Sequence, residues 1–206
     1  MRIAVFGGTG RVGQRFIELA REDGHEVIAL VRDKQAIEEK YPDIELVEGD
    51  VKNRESVEKT MQNSDMVFSS LGTDKTDTLS TGVPVIIRAM ENFHITRIVT
   101  IGTAGILDSR SETGKYRFET RESKRKSTFA AKEHLKAYKA LQNSQLKWTI
   151  ICPTYLPSGE EHGNVRHEED FLPEQGEKIT VGDTARFAYH ELLYEQLIYH
   201  RVGICY

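Results

Sequence analysis

Cysteine is nearly missing from this sequence. Cys152 and Cys205 are the only two in 206 residues, far apart, each among apolar or aromatic neighbours. That is the pattern of buried, reduced thiols in a reducing compartment, and a zinc site would need more ligands at closer spacing. Long apolar runs are absent too: none approaches the roughly 20 residues that span a bilayer. Met1-Arg2 lead straight into an apolar strand, without the basic and apolar regions of a secretory signal. A soluble, cytoplasmic protein is expected. Nor is there an excess of one charge. The formal net charge of -4 excludes a nucleic-acid footprint over the whole surface. The expected partner is a small molecule, with no nucleic acid, no membrane and no metal; the chain acts as a monomer or small homo-oligomer.

What is present is an ordinary globular composition, 29% charged and 38% hydrophobic, enough for one domain with its own core. Short apolar runs alternate with longer amphipathic ones, as in a parallel sheet covered by helices on both faces. Strands are expected at Ile3-Phe6, Val27-Val31, Ile44-Glu48, Met66-Ser69, Arg97-Ile101 and Trp148-Ile151. Helices are expected over Arg11-Asp23, closed by Gly24, and briefly after Asp33. Others cover Arg54-Met61, Thr81-Phe93 with Pro84 in the first turn, Thr128-Asn143, and Thr184-Glu195 capped by Asp183. Two stretches break the rhythm. Residues 108–127, dense in charge, read as a mobile lid or a disordered loop, and Pro157-Gln175 reads as a solvated acidic loop. The fold class is therefore a single α/β domain over 1–206, a Rossmann-type doubly wound, mostly parallel sheet.

The strongest signal is Gly7-Gly8-Thr9-Gly10-Arg11-Val12-Gly13, a G-x-x-G-x-x-G loop with a strand before it and a helix after it. Gly7 permits the tight turn and Gly10 lets the backbone approach a pyrophosphate. Gly13 lets the helix pack closely on the sheet, and the helix N-terminus offers free N–H groups and positive potential. Gly7, Thr9, Gly10, Arg11, Val12 and Gly13 are accordingly assigned to a dinucleotide. At the end of the second strand Arg32 stands where NAD-preferring folds carry a carboxylate. Its guanidinium suits a 2′-phosphate, with Arg11 able to join it. Asp33 is read as a helix cap. NADP(H) is the expected cofactor, with NAD(H) possible.

These residues resemble a family, the atypical short-chain dehydrogenase/reductases, in the NAD(P)H-binding branch that includes biliverdin IXβ reductase/flavin reductase. The resemblance rests on GGTGRVG, GHEVIALVRD, GDV at Gly49-Val51 and SSLGT at Ser69-Thr73, then on TRIVTIGTAGIL, LKWTIICPTYLP and ITVGDTARFA. It implies that Asp50 and Val51 lie beside the adenine, and that Leu71, Gly72 and Thr73 contact ribose or pyrophosphate. Thr103 would stand near the nicotinamide, and Pro153, Thr154 and Tyr155 would hold the carboxamide. All lie at the carboxyl ends of expected strands, where open α/β sheets build their ligand crevice. Ordinary members carry Tyr-x-x-x-Lys, and no tyrosine here has a lysine four residues on. The resemblance puts His134 at the lysine position and Ala130 at the tyrosine position.

His134 shares a helix face with Ala130, Tyr138 and Leu141, which is expected to look toward the sheet and the crevice. It is either an acid that orients substrate or a packed helix histidine. Thr103 is either a donor to substrate or cofactor, or a threonine bonding its own backbone. His162 and His167 with their glutamates fit no metal spacing, and Lys124-Arg125-Lys126 read as a solvated run. The expected activity is an NADPH-dependent reductase passing hydride to a planar acceptor such as a flavin or quinone. The alternative is an NADP(H)-sensing regulatory protein without turnover; an epimerase-like activity is weaker still.

Overall fold

A computed structural model describes residues 1–123 and 127–206, apart from the side chain of Ala36. Its first half is strictly alternating: β1 (Arg2–Phe6), α1 (Arg11–Glu22), β2 (Glu26–Val31), α2 (Gln35–Glu38), β3 (Glu45–Glu48), α3 (Arg54–Met61), β4 (Met66–Ser69), α4 (Thr78–Asn92) and β5 (Arg97–Ile101). Two 3₁₀ turns follow, then α5 (Phe129–Gln142), β6 (Lys147–Pro153), β7 (Arg166–Glu169), α6 (Val181–Tyr194) and β8 (Arg201–Cys205). The eight strands form one sheet in the order β3-β2-β1-β4-β5-β6-β8-β7. Every pairing is parallel except β7 with β8. The strand order reverses between β1 and β4, and a doubly wound sheet opens its ligand crevice at such a switch.

Alternation along each strand divides the core into two layers. Ala4, Phe6, Ile28, Leu30, Trp148 and Ile150 face α3, α4 and α5. Ile3, Val5, Val27, Ala29 and Ile151 face α1 and α6. On the second face Phe16 stacks on Phe68 with centroids 3.7 Å apart, and Tyr189 meets Phe16 edge-on. At the amino end of the sheet, the Arg97 guanidinium donates to Glu191 Oε1 at 2.8 Å with the side chains 2% and 3% exposed. Thr149 Oγ1 and the backbone N–H groups of Leu197 and Gln196 complete that carboxylate's bonds. Such a buried pair survives desolvation because its remaining lone pairs are satisfied.

Several expected boundaries are corrected. β8 and β7 were not expected; the latter lies inside the Pro157-Gln175 stretch. Arg166-His-Glu-Glu has no apolar alternation because β7 is an edge strand with mostly exposed residues. β8 carries Gly203, whose Cβ would lie 2.1 Å from Phe171 O, so the backbone approach there requires glycine. α4 begins at Thr78, which places Pro84 inside the helix rather than in its first turn. α6 is capped by Thr180, not Asp183: Thr180 Oγ1 accepts from the Asp183 N–H. Asp33 stands one residue before the N-cap of α2, Lys34, and accepts from the Gln35 N–H at 3.0 Å in a local turn. Gly24, at φ +75°, closes α1 in the position expected of it.

Residues 108–123 are folded rather than structureless. Asp108 and Tyr116 form a bridge, Arg117–Glu119 a 3₁₀ turn, and Glu122 accepts from Ser109 Oγ at 2.6 Å. The Lys124-Arg125-Lys126 run lies outside the described residues. Both cysteines are free and buried, and burial pushes the Cys152 thiol up to about 12. No helix among the described residues is long and apolar enough to cross a membrane.

Asp183 has a second task. Its carboxylate accepts the backbone N–H of His162 and of Gly163, at 2.8 and 3.0 Å, and the hydroxyls of Thr180 and Tyr206. Burial acts to raise its pKa, but these donors together outweigh it and hold the group below the usual carboxylate range. A depressed carboxylate stabilises the fold above its unfolded pKa of about 3.9 and loses that contribution as pH falls through the folded value. Asp183→Asn should therefore lower unfolding free energy at pH 7 by about 1–3 kcal/mol. The deficit should shrink as urea titrations move below pH 4; a deficit that stays constant or grows would contradict this account.

Candidate functional site

The turn after β1 is shaped by what its glycines leave out. Gly7 has φ +83°, and a Cβ there would sit 2.7 Å from the Ser70 carbonyl carbon. A Cβ on Gly13 would fall 2.2 Å from Gly7 O and 2.8 Å from Ser70 Oγ. Ser70 Oγ donates to Gly7 O at 3.0 Å, joining the turn to the end of β4. Gly10 differs: within 4 Å its Cβ would meet only Gly7 O, at 3.3 Å. It is also the N-cap of α1, and no side chain caps that end. The first-turn N–H groups are thus left for a ligand, and their positive potential favours an anion.

That turn forms one wall of a cleft of about 190 Å³ at the carboxyl ends of β1, β2 and β4. Gly7, Thr9, Gly10, Arg32, Asp50, Val51, Leu71 and Gly72, all singled out from the sequence, line it. So does Asp74, which the sequence did not single out. Asp74 is exposed, has φ +48°, and pairs with Arg32 at 3.0 Å. Asp50 accepts from the Lys52 N–H, which turns the chain beyond β3.

A second cleft, about 570 Å³, opens beyond β5 and β6. Thr103, Thr154 and Tyr155 meet there with Arg117, Glu122, Leu172 and Lys178. Thr103 caps the 3₁₀ turn Ala104–Ile106, its Oγ1 accepting from the Gly105 N–H at 3.4 Å, so it combines a local bond with a place in the cleft wall. Thr154 Oγ1 is buried and makes no hydrogen bond. A buried hydroxyl without a partner in a cleft wall is a place for a ligand's polar atom.

Other expected residues stand elsewhere. Arg11 does not join Arg32; its guanidinium donates to Leu156 O at 3.1 Å and to Ser158 Oγ at 3.2 Å. Val12 is buried in the core layer of α1, and Gly13 packs behind the turn. Thr73 and Pro153 line neither cleft: Thr73 O accepts from Thr76 N, and Pro153 ends β6. His134 is half-buried on α5 and lines neither cleft. Its neighbours Tyr138 and Leu141 face the core, where Tyr138 meets Trp148 edge-on at 5.6 Å. The helix face expected to look toward the sheet and the crevice does pack on the sheet at Tyr138 and Leu141.

With the geometry in hand, likeness to known proteins can be read. A family model described as NAD(P)H-binding matches residues 7–194. The chain belongs to that NAD(P)H-binding family. Among curated relatives, YwnB of Bacillus subtilis is 24% identical over 176 residues, covering 82% of this chain and 80% of YwnB. An isoflavone reductase homolog, A622 of Nicotiana tabacum, is 32% identical over 80 residues, covering 34% of this chain. That match spans about a quarter (26%) of the length of A622. Among solved structures, the anaerobilin reductase ChuY of Escherichia coli O157:H7 has a TM-score of 0.83 at 21% identity, over 100% of this chain and 97% of ChuY. A Streptococcus pneumoniae protein described as a candidate NADH-flavin reductase has a TM-score of 0.76 at 24% identity, over 100% of this chain and 99% of that one. They share the Rossmann-type fold with the family member described here.

The close contact behind the turn is open to test. Gly13→Ala should push α1 off the turn at a cost of about 1–3 kcal/mol and weaken NAD(P)H binding by titration calorimetry. An alanine variant with parental stability and affinity would refute the contact's importance.

Proposed function

We propose that this protein is an NAD(P)H-dependent reductase, with NADPH preferred, that reduces a planar acceptor such as a flavin or quinone. The observation that carries the reading is the pair of clefts beyond the carboxyl ends of the strands. One is narrow, glycine-walled and polar; the other is wider and lies beyond Thr103 and Thr154. Family membership supports the nicotinamide cofactor. The reductases among the structural neighbours are consistent with hydride transfer to a flavin or bilin.

On this reading Gly7, Thr9 and Gly10 hold the pyrophosphate against the N-terminus of α1. Asp50, Val51, Leu71 and Gly72 take the adenosine, and Thr103, Thr154 and Tyr155 border the nicotinamide. The bound nicotinamide supplies the hydride. The protein's own share is to orient, by holding the nicotinamide and the acceptor together beside Thr103, Thr154 and Tyr155, and proximity accounts for most of the rate. With His134 off the cleft wall, the proton that accompanies hydride comes from water.

Arg32 is the NADPH determinant in this reading, and its pairing with Asp74 sets what a 2′-phosphate must displace. The pair is exposed and worth little by itself, so the phosphate can take the guanidinium over. Arg32→Glu should weaken NADPH by about tenfold or more, since charge-assisted bonds are lost, and leave NADH nearly unchanged. Asp74→Asn should tighten NADPH. Steady-state oxidation of NADPH and NADH with flavin mononucleotide and with a quinone checks both variants. Tight NADPH binding without oxidation by either acceptor would overturn the reductase reading in favour of a sensor.

A further inference from the structure

The second cleft does not end at the residues already described. A neighbouring cleft of about 560 Å³ adjoins it, and Arg117, Glu122, Leu172, Gly176 and Glu177 line both. Arg117 and Glu122 therefore stand at the junction, with side chains only 17% and 22% exposed.

Their bonding is lopsided. Glu122 Oε1 is saturated: it accepts from Ser109 Oγ at 2.6 Å, the Ser111 N–H at 2.8 Å and Ser111 Oγ at 3.0 Å. Among the described residues Oε2 has only the Arg117 Nε, at 3.4 Å. Arg117 Nε is buried and makes no hydrogen bond among the described residues, and the Arg117 Nη2 reaches Glu122 O only at 3.5 Å. Burial lowers the Arg117 pKa more than Glu122 raises it. The buried Arg117 Nε and the partly exposed Glu122 Oε2 thus lie side by side, each with unused capacity. Desolvated groups of this kind cost free energy until a ligand satisfies them.

The two groups complement each other as one donor and one acceptor. Burial acts to raise the Glu122 pKa, but the Ser109 and Ser111 bonds outweigh it, so the group stays ionised and can only accept. A ligand edge that matches must offer a carbonyl oxygen next to an N–H. We propose that Arg117 and Glu122 read the lactam or imide edge of the acceptor, Arg117 donating to the C=O and Glu122 Oε2 accepting the adjacent N–H. Tyr155, 70% exposed in the wall of the same cleft, offers a ring face for the planar body to stack on. Flavins carry such an edge as an imide and bilins as a lactam; a quinone has the carbonyl alone. The proposal rests on the reductase reading for its choice of acceptor, but its test is binding and needs no turnover.

Lumiflavin and N3-methyl-lumiflavin are titrated into the full chain saturated with NADP⁺, with flavin fluorescence as the readout and biliverdin as a competitor. Methylation should weaken binding by about tenfold or more, because a bond to a charged acceptor is lost. In Arg117→Met both flavins should bind weakly and the methyl group should cost much less. Competition by biliverdin shows whether a lactam takes the same place as the imide. Equal affinity for the two flavins, a methyl penalty unchanged in Arg117→Met, or no binding of flavin at all would overturn the proposal. Bound flavin that discriminates in this way yet is not reduced by NADPH would leave it standing while the reductase reading fell.

Discussion

The close passage of α1 behind the β1 turn governs the geometry of everything else in the site. Gly13 sets it, because no side chain fits in the 2.2 Å between a Cβ there and Gly7 O. That passage aims the uncapped end of α1 at the cleft, and the Ser70 hydroxyl ties the same carbonyl to β4. The strand order reverses at this same pair of strands, so the turn and the switch point coincide. A loop free to move would offer the same N–H groups, but with an entropic cost at binding that this packing removes in advance.

The second cleft depends on a different anchor. Arg201 at the start of β8 donates to Ile106 O at 2.7 Å and to Asp170 Oδ1 at 3.1 Å, and pairs with Asp108 at 3.0 Å. Its guanidinium also lies over the Tyr138 and Tyr116 rings, at 4.7 and 5.5 Å. One buried cation therefore joins β8, the turn after β5 and the start of the 108–123 segment. Through that segment it fixes where Arg117 and Glu122 stand. Charge in this region does structural work and site work together, which explains why so polar a stretch is folded.

Legibility in the sequence followed the apolar pattern. β4, β5 and α3 were readable to the residue because their ends coincide with abrupt changes from apolar to polar. The turn after β1 was readable too, since backbone geometry there demands glycine and leaves a motif. β7 and β8 were hidden, one by its exposure and the other by Gly203. Arg11 was misplaced for a related reason: a long side chain can turn either way, and spacing alone does not say which. Arg117, Glu122 and Asp74 left no signal, because they meet through tertiary contacts between charged residues with no recurring spacing.

The most direct test of the whole account is amide NMR of the isotope-labelled chain titrated with NADP⁺. Shifts are predicted at Thr9 and Gly10, at Arg32, at Asp50 and Val51, and at Leu71 and Gly72, the residues that line the glycine-walled cleft. Spectra that do not change, or shifts confined to residues away from that cleft, would contradict it.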